Sequence, residues 1–228
     1  TDTDIPHFAF THHRIGIHTD SETSAPPPTN GPRKLTPFKI PAELAQSERD
    51  RALGLAYLEY AAKHPEAYGH YLETARNLLR SGEKDGEALA GLAVIEYQLR
   101  QSTAAGWAER ALDSQNLSAQ SRVNALVVRA SIAMEQGNPE LAVSDLREAV
   151  RIRRMADYWH LLSEAQRQAG RMDEALAALE QAVKIAPHRI DFRSRLAFEY
   201  RQANRKQDAD AQEQIIKILK ASASEANS

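Results

Sequence analysis

From residue 42 onward, apolar positions recur every three or four residues, the period of amphipathic helices and not the alternation of strands. Pro, Gly and short polar breaks divide this part of the chain into ten helical stretches of roughly 12 to 22 residues. The stretches pair as hairpins: 42–63 with 66–81, 85–101 with 103–114, 119–136 with 139–153, 156–169 with 171–185, and 190–203 with 206–221. Local chemistry supports the joints. Asn138 is placed to cap a helix that starts with Pro139, and Gly137 and Gly170 stand where the preceding helix must stop. The expected fold is therefore all-α.

Ahead of residue 42 the pattern changes. Residues 1–41 hold seven of the ten prolines and four of the eight histidines. Residues 21–41 are polar and rich in Pro and Gly, and Pro26, Pro27 and Pro28 favour polyproline II, so this stretch reads as an extended tether. Residues 5–18 (IPHFAFTHHRIGIH) are apolar and aromatic with no helical period, which reads as an extended arm over 1–20. The expected division is an arm (1–20), a linker (21–41), a helical domain (42–221) and a flexible tail (222–228). The first residue is Thr1, which reads as the start of a processed piece.

The small residue early in each second helix falls at Ala104, Ala142, Ala175 and Ala209, at intervals of 38, 33 and 34 residues. A two-helix unit of this length, with this pattern of residue types, resembles the tetratricopeptide repeat. The unit at 156–189 carries Trp159, Leu162, Ser163, Gly170, Ala175, Leu179, Ala182 and Pro187 at the family's offsets, with Gln166 where an aromatic is usual. The unit before it has Leu126, Ala130, Gly137, Ala142, Leu146 and Ala149, with Arg129 in place of the usual Leu. The unit after it keeps Leu196, Ala197, Tyr200 and Ala209, and its polar Glu213 suits a terminal unit. Ala130, Ser163 and Ala197 mark the site where two helices cross closely, with Ser163 expected to face Ala175. Residues 42–81 and 85–114 form two divergent units.

The resemblance implies a right-handed superhelix of about five hairpins, whose first helices line a concave groove that binds peptides or partner proteins. By offset, the groove positions are Asn124, Val127, Ser131, Asp157, His160, Glu164, Arg167, Asp191, Ser194, Phe198 and Arg201. They lack the Lys/Asn cluster with which chaperone-binding members grip a C-terminal carboxylate. Arg147, Arg151, Arg153 and Arg154 are expected to complement a helix end or to pair with nearby acids, an anion site being the alternative.

Composition narrows the function further. The chain has 29 Lys+Arg against 31 Asp+Glu, a formal charge of -2, so no net basic field gathers nucleic acid. Cysteine is absent, which removes disulfides, thiolate metal sites and cysteine nucleophiles. No run approaches the roughly 18 apolar residues of a membrane span. GxSxG, HExxH, GxxxxGK[ST] and GxGxxG are all missing, so no catalytic residue is assigned and a non-enzymatic interaction scaffold is expected.

The arm has the most site-like chemistry, with His7, His12, His13 and His18 set among Phe8, Phe10 and Arg14. Three roles are open. The apolar residues dock and the histidines are incidental; or His12 and His13 bind a free metal ion, a poor chelate because neighbours on an extended chain face opposite ways; or a histidine ligates haem iron. The third role comes from a resemblance. Residues 4–15 (DIPHFAFTHHRI) are similar to the segment after the last haem-attachment motif in bacterial multihaem cytochrome c proteins that carry C-terminal tetratricopeptide repeats.

By position, the resemblance implies His7 and His13 as candidate axial ligands, with His12 departing from the usual Asp. It also implies an extracytoplasmic, periplasmic setting. No CxxCH occurs here, so haem c would be attached upstream or to another chain, and this chain alone is expected to hold no cofactor. The expected partners are a protein or peptide, or an upstream cytochrome domain. In the alternatives, the arm completes haem sites of an electron-transfer domain, or the chain is a stand-alone adaptor.

Overall fold

The computed structural model describes residues 32–36, 44–82 and 84–226. Among them are ten α-helices and no strand: α1 (Gln46–Lys63), α2 (Tyr68–Leu79), α3 (Gly86–Gln98), α4 (Ala104–Leu112), α5 (Ala119–Glu135), α6 (Pro139–Ile152), α7 (Ala156–Gln168), α8 (Met172–Ile185), α9 (Ile190–Gln202) and α10 (Lys206–Ala226). They pair in sequence as α1/α2, α3/α4, α5/α6, α7/α8 and α9/α10, the five hairpins expected from the period. Two boundaries move. A 3-10 turn at Pro65–Ala67 precedes α2, and α10 continues to Ala226, so the expected tail from residue 222 is helical through that residue. No Pro or Gly interrupts that run of Ala, Ser and Glu.

The joints have a common construction. Arg100, Gly137, Gly170 and Asn204, each just past a first helix, have φ of 57°, 74°, 75° and 62°. The N–H groups of the residues that follow them, Gln101, Asn138, Arg171 and Arg205, each donate at 2.8 Å to the carbonyls of Glu96, Ala133, Gln166 and Tyr200. This is the Schellman closure, which satisfies orphan carbonyls at a helix end and requires a left-handed residue. Asn138 then caps α6, its side chain accepting from the Leu141 N–H at 3.4 Å, and Asp85 caps α3 by accepting from the Glu87 and Ala88 N–H groups.

The chain divides into two compact units, one through Leu117 and one from Ser118. In the first, α1, α2 and α3 converge on Leu79. A Cβ at Gly54 would lie 2.7 Å from Leu79 Cγ, and one at Gly91 2.7 Å from Leu79 Cδ1, so any larger residue at either place would force Leu79 to shift. Tyr57, Tyr71, Leu72, Leu92 and Ile95 complete the core. Arg76 of α2 donates to the buried Glu96 of α3 at 2.9 and 3.0 Å.

Residues 32–36 belong to this unit. They lie within the stretch expected to be an extended tether, and these five residues are docked on the helices. Leu35 is only 3% exposed and packs into the α1/α2 core, because an apolar side chain within reach of that surface gains from leaving water.

In the second unit, α6 packs on α7 and α8 on α9, so three hairpins stack. The close-crossing residues Ala130, Ser163 and Ala197 are all buried, as are Ala142, Ala175 and Ala209 of the second helices. Leu146, Leu162, Leu179 and Leu196 fill the space between hairpins, as stacked repeats require. Arg129, which replaces the usual leucine, is held by two hydrogen bonds of 2.8 and 2.7 Å to the buried Asp145 of α6.

Candidate peptide-binding faces

The expected groove positions of the second unit lie on the first helices α5, α7 and α9. Cross-helix contacts bring part of the set together. The His160 ring of α7 stacks on Phe192 of α9 with centroids 5.0 Å apart. Arg189, just before α9, joins Asp157 at 3.1 Å and Asp191 at 2.6 Å, and its guanidinium sits 4.0 Å over the Phe192 ring. Arg195 reaches Glu164 of α7 at 3.1 Å and Glu199 at 2.9 Å, and lies 5.4 Å from the centre of Phe198, which is half exposed. Arg167 also donates to Glu164, at 3.0 Å. The charges on this face are thus fixed by one another, and Phe198 is its open apolar element.

The remaining positions stand differently. Arg201 turns to its own hairpin partner, meeting Glu213 of α10 at 2.6 Å. Ser131 is buried, and its hydroxyl donates to the Val127 carbonyl. Asn124 accepts from Gln120, and Ser194 is exposed. His7 and His13 lie outside the described residues, and among those described no cluster of three or more His, Asp or Glu could hold a metal ion.

Ionisation follows from these contacts. The hydrogen bond from Arg189 holds the Asp191 carboxyl at about 2, below the usual carboxylate range. Burial lowers the pKa of His160, opposed by the nearby carboxylates of Glu164, Asp191 and Asp157 and reinforced by Arg195. Burial, followed by its hydrogen bond to Glu180, pushes Tyr200 up to about 12.

A second face, missed at the sequence level, lies on the first hairpin. The Arg33 N–H donates to the Tyr71 hydroxyl and the Leu35 N–H to the Tyr57 hydroxyl, both at 2.8 Å. Donors two residues apart share one edge of an extended chain, so two tyrosines hold one edge of this segment while the Leu35 side chain is buried. Tyr60 meets Tyr71 edge to face at 5.1 Å and stacks on His64 at 3.8 Å, which braces the clamp. The available signal was compositional: Tyr57, Tyr60, Tyr68 and Tyr71 are four of the seven tyrosines and all fall in one hairpin.

Residues 127–190 match the family model of the tetratricopeptide repeat. Comparison with curated proteins gives no significant match. Among solved structures, the fold is similar to MamA 41-end from Desulfovibrio magneticus RS-1, at a TM-score of 0.60 and 18% identity over 79% of this chain and 98% of that one. A MamA RS-1 double mutant gives a TM-score of 0.61 and 17% identity over 80% of this chain and 98% of that one. A further MamA crystal structure gives 0.59 and 16%, covering 72% and 95%. At such identities the likeness is one of fold. The ten helices therefore adopt the tetratricopeptide-repeat fold, and the family's sequence pattern is matched across residues 127–190.

Proposed function

We infer that this chain is a protein-binding scaffold that takes up extended segments of partner proteins, with no catalytic role. The observation that carries this reading is the clamp of Tyr57 and Tyr71, which grips residues 32–36 by main-chain N–H groups while a leucine side chain is buried. Main-chain hydrogen bonds supply affinity for any extended segment, and the side-chain pocket supplies selection. Leu35→Asp puts a charge into that pocket and should release the segment. A labelled nonapeptide of residues 30–38 should then bind the Leu35→Asp chain saturably and the unsubstituted chain at least tenfold more weakly. Equal binding to both chains, or to neither, would remove the hairpin as a peptide site.

A second reading makes the chain the repeat module of an exported, periplasmic multihaem cytochrome, with His7 and His13 as axial ligands of haem attached upstream. Its support is the sequence resemblance of residues 4–15. The coding DNA upstream of Thr1 tests it directly. In-frame CxxCH motifs there would support the module, and a start codon or signal peptide would leave a stand-alone adaptor.

A further inference from the structure

Between α6 and α7 lies an open cleft of about 520 Å³, whose lining includes Arg147, Arg151, Arg154, Trp159 and Gln166. Gln166 contributes to the space. Gln166 occupies in α7 the place that Tyr200 occupies in α9, and there the tyrosine ring is buried with its hydroxyl donating to Glu180 at 2.8 Å. The shorter glutamine leaves the floor of the cleft open where a tyrosine ring would lie.

The walls of the cleft are incompletely satisfied. Gln166 is 5% exposed, and its amide nitrogen donates to Glu174 at 3.2 Å, which fixes the orientation of the amide. Its Oε1 is then buried with no donor, and Trp159 Nε1 is buried with no acceptor. Buried polar groups of this kind carry a desolvation cost until a partner arrives. Three arginines line the cleft: Arg147 is taken by Glu174 at 2.5 Å, while Arg151 and Arg154 have no side-chain partner among the described residues.

We propose that this cleft binds an acidic peptide segment, with an Asp or Glu carboxylate held by Arg151 and Arg154. A main-chain N–H of the segment meets Gln166 Oε1, and Trp159 Nε1 donates to an oxygen of the segment, directly or through one water. The paired orphans select the ligand class. Inorganic phosphate at neutral pH keeps only one or two O–H donors, on the same centre as its charge. A peptide presents main-chain donors and acceptors at positions separate from its carboxylate and can meet both orphans while the arginines hold that carboxylate. The proposal rests on the scaffold reading and names one kind of partner, at a site separate from the tyrosine clamp.

The test uses the full chain carrying Trp107→Phe, which leaves Trp159 as the sole tryptophan. The probe is an N-acetylated, C-amidated hexapeptide with two central glutamates, beside its glutamine counterpart and inorganic phosphate. The glutamate peptide should shift Trp159 emission saturably, bind at least tenfold more weakly after Arg151→Glu with Arg154→Glu, and weaken further with added salt. Gln166→Tyr should cover the floor of the cleft, remove the amide acceptor and weaken binding at least tenfold with helicity unchanged; if that variant fails to fold, the exposed charge reversals decide. Equal affinity for the glutamine peptide, or no loss on charge reversal, would overturn the proposal. So would phosphate binding as tightly as the peptide and displacing it, which would mark an inorganic-anion site. Retention of the 30–38 peptide by the Leu35→Asp chain distinguishes failure here from failure of the scaffold reading.

Discussion

Arg129 shows how one residue can depart from a repeat pattern and keep the fold. Leucine is usual at its position, yet Arg129 makes a two-bond contact with Asp145, which is 3% exposed. Restoring the usual residue alone should therefore harm the protein. Arg129→Leu leaves a buried carboxylate without its cation and should cost about 3–5 kcal/mol. Arg129→Leu with Asp145→Leu removes both charges and should recover most of that loss, since apolar replacement of a buried pair is often neutral or better. Urea unfolding at neutral pH measures both, and a neutral single variant would mean that the pair does not hold α5 to α6.

At the scale of elements, α7 and α9 are joined along the face of the expected groove positions by the His160–Phe192 stack and by Arg189 and Arg195. His160 makes this junction sensitive to pH. Its folded pKa lies below the unfolded value near 6.5, so the unfolded chain binds the proton first. Stability from this group is complete above about pH 6.5, falls as pH drops through that value, and levels off below the depressed folded pKa. His160→Gln should therefore lose less Tm than the unsubstituted chain between pH 7.5 and pH 5, with the other histidines cancelling in the comparison. An identical loss in both would remove His160 from the acid response. The positions of α7 and α9 were legible from the repeat offset. Their partners Arg189 and Arg195 were not, because an ion pair across helices depends on which way two long side chains turn, and the helical period does not encode that.

At the scale of the whole molecule, the chain divides into two units, and in stacked repeats a hairpin is held mainly by its neighbours, so a core substitution should act chiefly within its own unit. Gly54→Ala gains about 1 kcal/mol of helix propensity but overpacks Leu79 at a cost of about 1–3 kcal/mol, so it should destabilise. Native-state hydrogen exchange should show the largest loss of protection from Gly54→Ala in α1–α4, and the largest loss from Arg129→Leu in α5–α8. Equal losses throughout would instead identify one cooperative block.

The sequence by itself determined the helices, their joints and the repeat, because each is specified by neighbours within a few residues. The Schellman turns at Gly137 and Gly170, the cap at Asn138 and the small residues at Ala130, Ser163 and Ala197 are local chemistry repeated at one spacing. Only the tertiary structure decided that the linker's Leu35 is buried against Tyr57, 22 residues away, that Tyr71 accepts from Arg33 across 38, and that Gln166 borders a cleft while Tyr200, one repeat later, is buried and donates to Glu180. Those outcomes depend on which surfaces meet and how much volume remains between them, quantities that arise when separate helices pack and that no single stretch of chain carries.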